Sequence, residues 1–247
     1  MRAYKRRFYR GRHQRSSYSA KTILSMVIDV LPAMDSAVDV GCGVGTWLSV
    51  LKNNGVGDIQ GIDGSWVKRD LLEIPEQYFR QADLNKPIDL GRKYDLAVSL
   101  EVAEHLPPET ARTFVDSLVS MSDFVLFSAA IPLQGGTGHV NEQWPDYWAN
   151  LFGERGYVAL DFIRRRVWND SKIMSWYRQN VLMYVKRERM QDLTMPGSDL
   201  CNEPLPMALV HPEAYLSKVR LMYSVRGSCK ILRRAIKRWG KSLLSKS

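Results

Sequence analysis

His139 and Glu142 stand three residues apart in the run GGTGHVNEQWPDYW (135–148). Histidine changes protonation near neutral pH, so it can take a hydroxyl proton while a new bond forms at that oxygen. A carboxylate one turn further on can orient the ring or bind substrate hydroxyls. Gly135, Gly136 and Gly138 make the start of the run pliable, which suits a lid or a close backbone approach. Trp144, Tyr147 and Trp148 end it at helical spacing; such stripes are mostly core, but Trp144 lies nearest the loop and can stack on a sugar face. In LEVAEHL (100–106), Glu101, Glu104 and His105 gather three polar heads on one side of a helical turn. The structural reading has Glu101 lining a cleft and Glu104 and His105 capping the next helix. WNDSKIMSWYRQN (168–180) adds Trp176, Tyr177 and Arg178 as substrate contacts and Asn180 as a hydrogen-bonding group across the sheet end.

VDVGCGVGTW (38–47) follows a strand-like run and opens a helical one. Gly41, Gly43 and Gly45 allow a tight turn and let a ligand approach main-chain N–H groups. Asp39 precedes them on the strand. Asp63 ends a second strand about 20 residues on, where a carboxylate can take both ribose hydroxyls. A third strand ends at Asp83 and Leu84, placed to meet an adenine edge. Cys42 inside the loop reads as a small packed residue.

These groups need a frame, and the hydropathy pattern supplies one. SAVDVG, DIQGID, YFRQADL, YDLAVSL and DFVLFSAAI are short β-rich runs, with YVALDFI and NVLMYVKR following. Helical stretches alternate with them: GTWLSVLKNNG, a short SWVKRDLLEI, a helix opened by Pro107-Pro108, and YWANLFGERGY. The alternation predicts an α/β fold with a mostly parallel sheet and helices on both faces.

The motifs VDVGCGVGTW, GIDGS, QADL and YDLAVSLEVAEHL, in this order and spacing, resemble the class I S-adenosylmethionine-dependent methyltransferases over roughly residues 20–187. The dinucleotide-binding pattern fits less well, because its glycine spacing differs. The resemblance implies a Rossmann-like seven-stranded sheet with an antiparallel last strand, and S-adenosylmethionine as cofactor. It implies that Asp39, Gly41, Cys42, Gly43 and Gly45 hold the methionine end, that Asp63 and Gly64 hold the ribose, and that Asp83 and Leu84 read the adenine. Leu100 and Glu101 would line the same cleft. Related small-RNA terminal 2′-O-methyltransferases and ubiquinone-pathway O-methyltransferases use a Glu-x-x-Glu-His run with a later residue to bind a divalent metal. By that resemblance Glu101, Glu104, His105 and His139 form such a site, with donors suited to Mn, Fe, Co or Zn rather than Mg. The pairing of GHVNEQWPDYW with WYRQN resembles a bacterial-type subgroup associated with glycan biosynthesis. The expected activity is therefore O-methylation of a sugar or glycan hydroxyl; the alternatives are an RNA-directed methyltransferase and a non-catalytic scaffold.

Charge is split along the chain. Residues 1–28 carry eight Lys/Arg and residues 218–247 carry ten, with no acid in either stretch; between them 17 basic residues face all 26 acidic ones. The net charge of +9 thus comes from two basic ends on an acidic body. Basic ends suit an anionic surface, a membrane first and nucleic acid second, while the acidic body argues against an RNA groove. The stripe Ile231, Leu232, Ala235, Ile236, Trp239 and Leu243 opposite Arg and Lys residues gives the tail an amphipathic helical pattern suited to a membrane surface. Neither a membrane span nor a secretory signal is expected, and Cys42, Cys201 and Cys229 read as reduced thiols, so the expected location is cytoplasmic, peripheral at the inner membrane face. The predicted organisation is a basic extension (1–20), the catalytic domain (21–187), a linker or wrapping arm (188–217) and the basic tail (218–247).

Overall fold

The structure is a computed structural model that describes residues 6–194, 207–223 and a few isolated positions between 228 and 236. Its centre is a seven-stranded sheet in the order β3-β2-β1-β4-β5-β7-β6. The strands are β1 (Ser36–Val40), β2 (Asp58–Asp63), β3 (Phe79–Gln81), β4 (Leu96–Leu100), β5 (Phe124–Ser128), β6 (Tyr157–Leu160) and β7 (Leu182–Lys186). Pairings among β1 to β5 are parallel, and β7 runs antiparallel to both β5 and β6. This is the Rossmann-like sheet that the sequence resemblance implies.

Every residue of β1, β4 and β5 is buried, as befits strands covered on both faces. The pleat divides their side chains between two cores. Leu96, Val98, Phe124 and Leu126 point to one, with Leu48 and Leu51 of helix α2 (Thr46–Asn53). Ala97, Val125 and Phe127 point to the other, with Phe114 and Leu118 of α3 (Ala111–Met121) and Trp148 and Phe152 of α4 (Pro145–Gly153). Strand order reverses direction between β1 and β4, which opens a crevice at their carboxyl ends.

The first helix departs from expectation. α1 runs from Arg6 to Val30 without a break, so the boundary at residue 20 falls inside it. Ala20, Ile23, Leu24 and Val27 are wholly buried in the first core. One helix thus carries both the end of the expected extension, where Ala20 is core, and the start of the domain. The helix expected over residues 65–74 is a single 3-10 turn, Arg69–Leu71, and the third strand spans three residues rather than seven. Glu73 N–H donates to the Val44 carbonyl at 2.8 Å, which ties this segment to the glycine loop in an extended form.

Two short helices follow β6: α5 (Ile163–Val167) and α6 (Ser175–Asn180). The chain divides into two compact units at 209/210. After β7 comes another 3-10 stretch, Arg187–Asp192, and Thr194 N–H bonds the Val30 carbonyl at 2.9 Å, so the start of the expected arm is fastened to the first unit. In the second unit α7 (Pro212–Tyr223) begins where His211 Nδ1 accepts the Glu213 N–H at 3.2 Å. The amphipathic stripe expected after Ile231 falls mostly outside the described residues; Leu232 and Ile236 are exposed. No helix among the described residues is long and apolar enough to cross a membrane.

If α1 is integral, Ile23→Ala should destabilise the protein by about 2–4 kcal/mol, the usual cost of emptying a closed core site. Urea unfolding measures this; a shift under about 0.5 kcal/mol would return α1 to the status of an appendage.

Candidate active site

A cavity of about 210 Å³ opens at the crevice, lined by Asp39, the glycine loop, Trp47, Leu100, Tyr177 and, from α1, Ser16. The loop needs its glycines. Gly41 has φ +87°, and a Cβ there would lie 2.2 Å from a Val102 methyl group. The main-chain N–H groups of Gly41 and Cys42 both donate to the Ile62 carbonyl, at 2.7 and 3.2 Å, clamping the loop against the end of β2. Asp63 completes the clamp: Oδ2 accepts the Gly43 N–H at 2.7 Å and Oδ1 the Gly64 N–H at 2.6 Å.

Asp39 and Asp63 are 3% and 5% exposed. Burial lifts both carboxyls above their ordinary range, and the charge of Asp63 lifts Asp39 further. Cys42 between them is also pushed up, by burial first and then by the two aspartates, so it stays a neutral packed thiol as the sequence suggests. Asp39, a buried acid in a cavity that no basic side chain lines among the described residues, forms a seat for a cationic ligand.

The adenine-side expectation is met only in position. Asp83 and Leu84 follow β3 at the same edge, but Leu84 is buried in the second core and the Asp83 carboxylate is turned onto Asn85 N–H and Nδ2 at 3.1 and 2.8 Å. Sequence reasoning missed Trp66, whose indole N–H bonds Asp63 and whose ring covers Gly64.

Glu101 takes the left-handed region at φ +57°, a strained backbone for glutamate. Its N–H donates to the Ser128 carbonyl, and its carboxylate accepts Asn180 Nδ2 and Gln134 Nε2, each at 2.9 Å. Asn180 thus bonds across the sheet end as expected. These bonds fix Glu101 outside the expected metal quartet. The remaining three, Glu104, His105 and His139, offer ligand atoms within 4.8 Å of one another. The His105 and His139 rings meet edge to face at 4.9 Å. Glu104 is 1% exposed, and neither of its oxygens has a well-formed hydrogen bond among the described residues. Burial, then the charge of Glu101, pushes its carboxyl up to about 9.

Glu142 organises the acceptor-side loop. It accepts the N–H groups of Leu133 and Gly135 at 2.9 and 2.6 Å, and its Oε1 lies 2.9 Å from His139 Nδ1. That contact assigns the proton to Nδ1 and leaves the Nε2 lone pair available. Gly136 is required for packing: a Cβ would fall 2.0 Å from His139 Nε2. The loop is therefore a braced platform as well as a glycine-rich one. Trp144 is 42% exposed beside it, whereas Trp148 is core, packed on Phe127 at 5.3 Å.

Among the remaining expected substrate contacts, Tyr177 faces the cofactor-side cavity and stacks edge to face on Trp47 at 5.2 Å. Trp176 packs half-buried on the first core. Arg178 is 2% exposed and donates to the carbonyls of Ile173 and Trp168, both at 3.1 Å. It pins the segment before β7 instead of meeting an acceptor.

Residues 9–149 match the family described as the methyltransferase domain. Among solved structures, DesVI of Streptomyces venezuelae aligns at 18% identity and TM-score 0.52, covering 72% of this chain and 94% of its own. Magnesium protoporphyrin IX methyltransferase of Synechocystis PCC 6803 with bound SAM aligns at 22% identity and TM-score 0.50, covering 71% and 80%. Both likenesses concern the fold. No curated protein matches the chain.

Arg178→Ala should lower stability by about 2–5 kcal/mol, because its loss leaves buried carbonyls without donors. Cofactor affinity per folded molecule should stay the same. A variant of normal melting temperature with impaired turnover would reinstate Arg178 as a substrate contact.

Proposed function

The chain belongs to the methyltransferase-domain family and is a class I S-adenosylmethionine-dependent methyltransferase, and on that premise we propose that it methylates a hydroxyl of a sugar or glycan intermediate. The cofactor fits what the residues present: a cavity lined by the buried Asp39 and the glycine loop, where the place of a Cβ on Gly43 is open space. When bound, the cofactor supplies an electrophilic methyl group on a positively charged sulfur. The protein's part is to hold that charge against Asp39, align an acceptor oxygen and take its proton.

The observation that carries the oxygen assignment is the His139–Glu142 pair at 2.9 Å. Glu142 holds Nδ1–H, so Nε2 is the position that removes the acceptor proton. Glu142 in turn stabilises the imidazolium formed. Water exclusion falls to the braced loop and to Trp144, whose exposed ring offers a flat apolar face for a pyranose. A sugar hydroxyl suits this set because it is too weakly acidic to react without a base.

A second reading concerns the same trio. The buried carboxylate of Glu104, which lacks a well-formed hydrogen bond among the described residues and stands next to the His105 and His139 rings, fits a divalent cation such as Mn, Fe, Co or Zn. Bound there, such an ion would orient and acidify a substrate hydroxyl, and His139 would be its ligand instead of the base. An anionic membrane surface remains the proposed partner for the basic tail.

His139→Ala should bind S-adenosylmethionine normally and lose about 10²–10⁴-fold in methyl transfer to a saccharide panel. Unchanged turnover would reduce His139 to a structural residue. Metal analysis separates the two readings: the cation reading requires near-stoichiometric metal in the purified protein that Glu104→Gln abolishes. Metal-free protein with full activity after thorough chelation would remove it.

A further inference from the structure

Among the described residues of the first unit, five large apolar side chains are exposed: Trp66, Leu71, Leu133, Val140 and Trp144. All five stand in two connections, one between β2 and β3 and one between β5 and α4. β2 and β5 run parallel to β1 and β4, so both connections leave from the carboxyl edge of the sheet, where the crevice opens. β2 lies on one side of the β1–β4 pair and β5 on the other. The mouth of the site is thus flanked on both sides by exposed apolar side chains.

The two connections are held in place. Glu73, two residues after Leu71, is tied to the glycine loop through the Val44 carbonyl and Thr46. Trp66 gives its indole N–H to Asp63 and leaves its ring in solvent. On the other side Val140 N–H donates to the Glu104 carbonyl at 2.8 Å and Gln143 N–H to the Ala130 carbonyl at 3.2 Å. Leu133 stands out. Its backbone is left-handed at φ +67°, its N–H is held by Glu142, and its side chain is 86% exposed. A leucine strained and pinned into solvent beside a site fits an apolar partner.

Charge selects that partner. The connection with Trp66 and Leu71 presents exposed Lys68 and Arg69 against Asp70. α1 ends before the amino end of β1, and its Ser16 lines the cavity at the carboxyl edge. The turns before Ser16, residues 6–15, therefore continue outward from that edge as roughly 15 Å of helix. Their sequence holds five arginines and no acid. Single apolar side chains among bases suit the headgroup layer of an anionic bilayer, where indole rings sit at the interface and bases meet phosphates. A folded protein seated on both connections would lie across the mouth and shut the acceptor out. A bilayer touches both and supplies the acceptor from its own surface.

We propose that the carboxyl edge of the sheet is a docking face for an anionic lipid surface, and that the acceptor is a saccharide carried on a lipid. The acceptor part rests on the sugar reading above. The docking face lies in the first unit and is separate from the basic tail.

The test uses the full-length protein and vesicles of phosphatidylcholine and phosphatidylglycerol in equal parts. Wild type should co-sediment with them. Leu71→Ser, Leu133→Asn and Val140→Ser combined should weaken this by at least about tenfold, because three apolar contacts are lost. Melting temperature and S-adenosylhomocysteine affinity should not change; asparagine at 133 accepts the left-handed backbone. Turnover on a saccharide anchored in the vesicles should fall with binding. Brominated phosphatidylcholine in the same vesicles should quench Trp66, so the quenched emission should drop in Trp66→Phe; this arm decides alone if the triple variant melts lower. A triple variant that binds as tightly as wild type overturns the proposal and leaves membrane contact to the basic tail. Equal quenching in Trp66→Phe and wild type overturns it too and leaves the face to a protein partner. Wild type that methylates a soluble saccharide without sedimenting overturns the docking face and leaves the sugar reading standing. Vesicle binding as expected, with no turnover on any saccharide, overturns the acceptor part alone.

Discussion

Two buried carboxylates at adjacent strand ends set the conditions for the rest of this site. Asp39 and Asp63 are nearly inaccessible; burial raises the cost of ionising both, and the charge of Asp63 adds to the cost at Asp39. A fold does not keep such a pair for stability, because desolvating a charge costs more than an isolated carboxylate recovers. What recovers it here is partly built in: Asp63 gains two main-chain N–H bonds that close the glycine loop. Among the described residues no main-chain N–H holds the Asp39 carboxylate in that way, and a cationic ligand is what would offset its burial. The parallel register of β1 and β2, with Asp39 opposite Gly61, brings the two acids to the same edge of the sheet.

The loop between β5 and α4 follows a similar plan with different groups. Glu142 satisfies two loop N–H groups and one imidazole nitrogen, so a single carboxylate both shapes the loop and chooses the histidine tautomer. Glu101 does comparable work between β4, β5 and α6, held by Gln134 and Asn180 at the expense of a strained backbone. Cofactor and acceptor halves are therefore joined through buried polar side chains from loops distant in sequence. Such a network is stable when its members are satisfied, and Glu104 stands out because among the described residues it has no well-formed hydrogen bond.

Much of this was legible in the sequence, for identifiable reasons. Strands buried on both faces leave unbroken apolar runs, and acids at their ends stand out because they interrupt those runs. Asp39 and Asp63 stand out in this way, whereas His139 and Glu142 lie in a loop without period and stand out only by residue type and spacing. Residue type misled where a side chain serves the interior. Arg178 looked like a substrate contact, yet it caps carbonyls, and no pattern in WYRQN distinguishes the two uses. Glu101 was grouped with Glu104 and His105 by helical spacing, but its left-handed backbone breaks that spacing. Ser16 lay hidden in a stretch whose basic residues dominate its composition, although the apolar face from Ala20 to Val27 marks the same helix as core. The helix expected over 65–74 failed because long-range ties from Glu73 to Val44 and Thr46 outweigh local propensity.

The account depends most on Asp63 being both the clamp of the glycine loop and the anchor of the cofactor's ribose. Titration of wild type and Asp63→Ala with S-adenosylhomocysteine, with circular dichroism to verify the fold, tests this directly. Saturable one-to-one binding by wild type and its loss in a folded Asp63→Ala protein is the predicted result. Undiminished binding by the folded variant, or none by wild type, would contradict it.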